Sequence, residues 1–111
     1  MAKIKALVKD PGKAPEIMEV ENTLEGLQEL IGGFIEVVTK PNTPMVMLVD
    51  EEGKMKGLPM NFMDYQIDDF IVGRAVFLGV DGEEFTDVPE ALAEAIIKSL
   101  PAVDPVWWGN A

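Results

Sequence analysis

The chain contains neither cysteine nor histidine, and it has a single serine and a single tyrosine. Each gap removes chemistry. Without cysteine there is no disulfide framework and no thiol nucleophile, and without either residue there is no thiolate or imidazole zinc site. Without histidine no Ser-His-Asp triad can form, and the one serine, Ser99, falls late in an expected helix. Catalysis would have to rest on carboxylates, lysine, arginine or Tyr65, with a carboxylate-only Mg²⁺ or Ca²⁺ site left open. No apolar run approaches the roughly 18 residues needed to span a bilayer. The opening M-A-K-I-K-A-L-V-K-D alternates charged and apolar residues and lacks the unbroken apolar centre of a signal peptide. A cytoplasmic protein is expected.

Positive charge is also scarce. Nine Lys and Arg face twenty Asp and Glu, a net charge of −11. Neutralising nucleic-acid phosphates needs clustered cations, so direct nucleic-acid binding is not expected. The acidity serves either solubility or mimicry, in which an acidic surface occupies the basic nucleic-acid-binding face of a partner protein. With 48% apolar residues in 111, the chain can build one modest core. The expected organisation is a single domain over residues 1–100 and a C-terminal tail over 101–111 that carries Trp107 and Trp108.

Periodicity sets the expected elements. Residues 3–9 alternate, with Ile4, Ala6 and Val8 on one side and Lys3, Lys5 and Lys9 on the other. Pro11-Gly12 turns the chain into a second, acidic strand, E-I-M-E-V-E. Asn22 and Glu25 make a capping-box pattern for a short helix whose apolar face is Leu24, Leu27 and Ile31, with Leu30 at its edge. Gly32 or Gly33 ends it. F-I-E-V-V-T and M-V-M-L-V are strands joined across P-N-T-P, the second apolar on both faces and so central. A mixed segment over residues 62–69 precedes a long strand over 70–79, in which Gly73 marks a bulge or a close approach. Asp81-Gly82 makes a turn. A second helix follows, with Asp87 as cap, Glu90 at the third position and Pro89 in its first turn. Val88, Ala91, Leu92, Ala95, Ile96 and Leu100 form its inner face. The fold class is α+β: about five strands in a mostly antiparallel sheet, with two helices packed on one face.

The segment D-E-E-G-K-M-K-G-L-P-M-N, residues 50–61, is the most site-like stretch. Its glycines and lysines match neither G-x-x-x-x-G-K-[ST] nor G-x-G-x-x-G. As a calcium loop it fails too, because lysines fall on ligand positions and Asn61 stands where a bidentate Glu is needed. It reads as a turn on E-E-G and a Pro-locked crossing anchored by Leu58 and Met60. Asn61 either ties down local backbone or offers donor and acceptor to a ligand, with Lys54, Lys56 and Arg74 as the accompanying cations. Asp64, Asp68 and Asp69 read as surface carboxylates. Trp107 and Trp108 either cover the sheet or contact a partner, and with any open sheet edge they offer a surface for a symmetric dimer.

Three blocks in combination carry a resemblance: N-T-L-E-G-L-Q-E-L-I-G-G-F-I-E-V-V, then D-E-E-G-K-M-K-G-L-P-M-N, then I-V-G-R-A-V-F-L-G-V-D-G-E-E-F-T-D. Residues 3–90 resemble a family of short proteins carried by bacteriophages and by mobile elements of gut Firmicutes, catalogued as a domain of unknown function. The resemblance implies a bacterial host cell and supplies no catalytic residues to carry over. By analogy of setting, it implies inhibition of host defence, either by binding a defence protein or by sequestering a nucleotide signal. The functional expectations are therefore a non-enzymatic protein-binding inhibitor without a cofactor, a signalling-nucleotide sponge, or a divalent-metal-dependent enzyme.

Overall fold

A computed structural model describes residues 3–100. Eight strands and two helices follow one another as β1 (Lys3–Lys9), β2 (Glu16–Glu21), α1 (Leu24–Ile31), β3 (Ile35–Thr39), β4 (Met45–Asp50), β5 (Met60–Asp64), β6 (Asp69–Val72), β7 (Ala75–Asp81), β8 (Glu84–Thr86) and α2 (Glu90–Ser99). The main sheet runs β2-β1-β7-β4-β3, entirely antiparallel. Short β8 folds back on the C-terminal end of β7, and β5 and β6 form a separate hairpin. This is the expected α+β class.

The two helices divide between the faces of the sheet instead of sharing one. On one face Val46, Leu48, Val76 and Leu78 pack under Leu27 and Ile31 of α1. On the other, Met45, Met47, Val49 and Phe77 pack under Ala93 of α2 and under Phe62 and Ile71 of the β5–β6 hairpin. The cause is in the central strands. All six residues of β4 are buried, and consecutive strand residues point to opposite faces. Both faces are apolar and both need cover, which one layer of helices cannot supply.

The expected strand over residues 70–79 is two strands in different sheets. It breaks at Gly73-Arg74, where Gly73 has φ +70 and its N–H donates to the Pro59 carbonyl at 2.8 Å. A Cβ there would lie 2.8 Å from Leu58 Cδ1, so the expected close approach is present. Both helix caps also shift. Thr23, not Asn22, caps α1, accepting from the Gly26 N–H at 3.0 Å, while Asn22 donates to the Phe85 carbonyl. Asp87 accepts from the Lys5 N–H at 2.8 Å and leaves α2 without a side-chain cap. That bond and the one from the Val88 N–H to the Lys5 carbonyl, 2.9 Å, extend β1 into the β8–α2 connection.

The connection passes directly over Gly79. A Cβ at Gly79 would sit 2.4 Å from the Asp87 carbonyl oxygen and 2.5 Å from Thr86 Oγ1. Because the nearer atom is backbone, the chain itself must move. Gly79→Ala is therefore expected to cost about 2 kcal/mol, read as a lower urea midpoint with an unchanged denaturant slope.

Candidate functional site

The residues singled out in the sequence fall around the ends of β1, β4 and α1. Asp50 ends β4 with its side chain buried. Its Oδ1 accepts from the Glu52 N–H at 2.8 Å, and its carbonyl accepts from the Gly53 N–H at 3.0 Å. This is the turn expected on E-E-G. Two further turns carry the chain to Gly57 at φ +69, and Lys56 returns to bind Asp50 Oδ2 at 2.7 Å. A Cβ on Gly33 would lie 2.7 Å from Lys56 Nζ and 2.9 Å from Asp50 Oδ2. The absence of a side chain there lets the ion pair lie against the α1–β3 link.

Arg74 grips Asp10 with two bonds, Nε–Oδ1 at 2.6 Å and Nη2–Oδ2 at 3.1 Å, and its Nη1 donates to the Leu30 carbonyl at 3.1 Å. Lys56 Nζ lies 3.4 Å from the Gly32 carbonyl. These carbonyls are at the negative end of α1, which has no basic residue in its own last turn. Two cations from distant segments supply the charge the helix lacks.

Asn61 faces the neighbouring residue of β1. It is buried, accepts from Lys9 Nζ at 2.9 Å, and donates to the carbonyls of Lys9 and Gly73 at 2.7 Å each. Lys9 also donates to the Asp10 carbonyl at 2.9 Å. Thus Lys9-Asp10 and Gly73-Arg74, two dipeptides far apart in sequence, are clasped by one amide and one guanidinium. The sequence placed Lys9 on the solvent side with Lys3 and Lys5; it is buried instead. The same strand face passes from solvent at Lys3 to core at Leu7, because the β5–β6 hairpin and α2 cover only that end. Burial pulls Lys9 below the ordinary lysine range, and the neighbouring Asp10 carboxylate offsets part of that.

Asp64 is a second correction. It is buried, not a surface carboxylate, and it forms an ion pair with Lys40, itself buried at the end of β3. Asp69 is half-buried and pairs with Lys54 at 2.5 Å, while Lys54 Nζ lies 4.4 Å from the centroid of the Phe70 ring. Asp68 is exposed with φ +53 in the β5–β6 turn.

Of the four expected ligand residues, only Lys54 lines the groove between β3 and the β5–β6 hairpin, a space of about 440 Å³ walled by Glu36, Val38, Met55, Phe70 and Val72. Lys56, Asn61 and Arg74 serve the clasp and the end of α1. The sequence missed Asp10, Lys9 and Lys40 as partners. The available signal was Asn61 between apolar anchors, since a buried amide requires buried polar partners. Among the described residues, no three carboxylates gather where they could hold a metal ion. The Trp107 and Trp108 expectation lies outside the described residues.

The ion pairs set the response to acid. The Arg74 hydrogen bond holds the Asp10 carboxyl below its ordinary value against the opposing effect of burial. For Asp50, burial pushes upward, but the Lys56 bond and the Glu52 N–H outweigh it and hold the carboxyl low. A carboxyl depressed in the folded state stabilises fully above its unfolded value, about 3.9, and loses that contribution as pH falls through the folded one. The Tm is expected to stay flat from about pH 7 to 5 and to fall below about pH 4. Arg74→Met and Lys56→Met should lower Tm at neutral pH, and their gap from the parent should narrow at the acid end, followed by circular dichroism.

The architecture is that of a small α+β domain built on one antiparallel sheet, with a polar clasp at one end and a groove beside an edge strand. The chain belongs to the DUF3846 family, a domain of unknown function, whose model matches residues 4–100. No curated protein and no solved structure matches it.

Proposed function

We propose that this chain is a non-enzymatic binding protein of a phage or mobile element. It inhibits bacterial host defence by presenting an acidic surface to a host protein whose own face is basic because it handles nucleic acid. The observation that carries this reading is how the fold disposes of its scarce cations. Arg74, Lys40, Lys54 and Lys56 are each bound to a carboxylate, and Lys9 is buried. Lys3 and Lys5 stand directly across from Glu21 and Glu19. The carboxylates of the β7–β8 turn and of both helices remain exposed, so the outward field is more one-signed than the composition alone implies.

The same pairing argues against the nucleotide sponge. Phosphates would need Lys54, Lys56 and Arg74, and each would first have to leave a carboxylate. A metal-dependent enzyme has no carboxylate cluster to support it among the described residues. Trp107 and Trp108 are offered as additional partner contacts.

The test is capture from host lysate on the immobilised chain. The expected result is a retained protein of basic charge, released both by raised salt and by competing duplex DNA. If no protein is retained, or if release is indifferent to salt and DNA, the reading fails. Trp107→Ala with Trp108→Ala should weaken retention if the tail contributes.

A further inference from the structure

The two ends of the main sheet are unlike. At one end β2 carries Glu16, Glu19 and Glu21, charges that discourage pairing with another strand. At the other end β3 is I-E-V-V-T, with no lysine, no proline and one carboxylate, and Val37 is 49% exposed. Among the described residues nothing pairs with its outer side.

The phase of the β3–β4 ladder shows which groups are free. The Glu51 N–H donates to the Phe34 carbonyl at 2.9 Å, and the Lys40 N–H to the Met45 carbonyl at 3.2 Å. Antiparallel strands exchange bonds at alternate residues, so Phe34, Glu36, Val38 and Lys40 face β4. Ile35, Val37 and Thr39 therefore turn their N–H and C=O groups outward. Side chains sort the same way. Ile35 and Val37 lie on the α1 face, while Glu36 and Val38 look into the 440 Å³ groove. Around that groove Glu36 and Glu51 carry negative charge outside the ion pairs described, while the Lys54 ammonium is held by Asp69 and the Phe70 ring.

We propose that the β3 edge accepts an extended segment of a partner protein in which aliphatic residues alternate with Lys or Arg. Backbone bonds form to Ile35, Val37 and Thr39. The aliphatic side chains lie over Ile35 and Val37, and the basic ones enter the groove toward Glu36 and Glu51. This rests on the acidic-surface reading and adds to it a place, a geometry and a sequence pattern for the partner.

The probe is a capped nine-residue peptide of alternating valine and lysine, added to the full chain and followed by amide NMR. Two comparison peptides are one with glutamate for lysine and one of the same composition in separate valine and lysine blocks. The expected result is slowed exchange at the Ile35, Val37 and Thr39 amides with the alternating peptide alone. Val37→Lys should weaken that binding at least tenfold, by placing a like charge on the edge, with Tm unchanged.

Equal binding by the block peptide, or perturbation centred on acids elsewhere, overturns the edge assignment while leaving the acidic-surface reading standing. No binding by the alternating peptide also overturns it, and lysate capture then tests the broader reading separately. Protection of the three amides before any peptide is added overturns it too. It assigns the edge to a second copy if it grows with protein concentration, and to another segment of the chain if it does not.

Discussion

Asn61→Ala is expected to lower stability by about 3 kcal/mol, with a Tm drop of roughly 12 °C or more. The side chain is buried and three of its hydrogen-bonding positions are filled, all by main-chain or ammonium groups of other segments. Alanine removes an acceptor from the buried Lys9 ammonium and strips a donor from two carbonyls. Each loss leaves a polar group desolvated, which costs about 1–3 kcal/mol and more for a charged one. Partial relaxation and water entry reduce the total. Asn61→Asp separates the contributions. It offers Lys9 a carboxylate but turns an oxygen toward the carbonyls of Lys9 and Gly73, so it too should destabilise. Urea melts read both, and a loss below about 1 kcal/mol for Asn61→Ala would show that the clasp is dispensable.

That clasp marks where sequence reading stops. Strand alternation and the turn glycines placed β1 to β4 and both helices, because each is coded by neighbours a few positions apart. The buried run of β4 showed that the strand is central. Its further consequence, that both sheet faces need a cover, depends on adding up layers and not on local pattern. Gly73 reads in the sequence as a bulge or a close approach inside one strand, because Phe70 to Gly79 is apolar but for Arg74; the close approach to Leu58 is there, but it accompanies a change of sheet. Strand alternation puts Lys9 outward with Lys3 and Lys5, and no spacing of the carboxylates in the mixed segment 62–69 sets Asp64 apart from the surface ones. The burial of Lys9 and Asp64 is decided by partners 52 and 24 positions away. Arg74, expected as a cation beside Asn61 for a ligand, is instead committed to Asp10, 64 positions away.

The same limit bears on the candidate surface. The sequence could count acids but not say which cations were already taken. Once Arg74 and three lysines are paired, the field outside the protein is set by acids on the turns and helices, and the least charged margin of the sheet is β3. An acidic protein whose β3 edge is unpaired among the described residues is suited to a basic extended segment: long-range attraction brings the segment in, and the edge supplies backbone bonds and register.

The Lys40–Asp64 pair provides the other large effect. Both side chains are at least nine-tenths buried, at 9% and 4% exposure, and the pair fastens the β3–β4 hairpin to the end of β5. Asp64 also accepts from the Gln66 N–H at 3.1 Å. Lys40→Met leaves a buried carboxylate without its cation, and Asp64→Leu leaves a buried ammonium without its anion. Each is expected to cost about 3–5 kcal/mol, because the surviving charge keeps its desolvation penalty and loses its attraction. The double variant removes both charges together and fills the space with apolar groups of similar size. It should lie within about 1 kcal/mol of the parent, or above it. The double-mutant cycle would then give a coupling of several kcal/mol from urea midpoints. Additive single losses would mean that water reaches the pair and that the β5–β6 hairpin is held by Phe62, Ile71 and the Asn61 clasp without it. If the double variant is as stable as the parent but its hairpin amides exchange faster, the ion pair fixes the hairpin's position more than it stabilises the fold. That hairpin forms one wall of the groove beside β3, so peptide binding at the edge should weaken in the double variant even where its stability is intact.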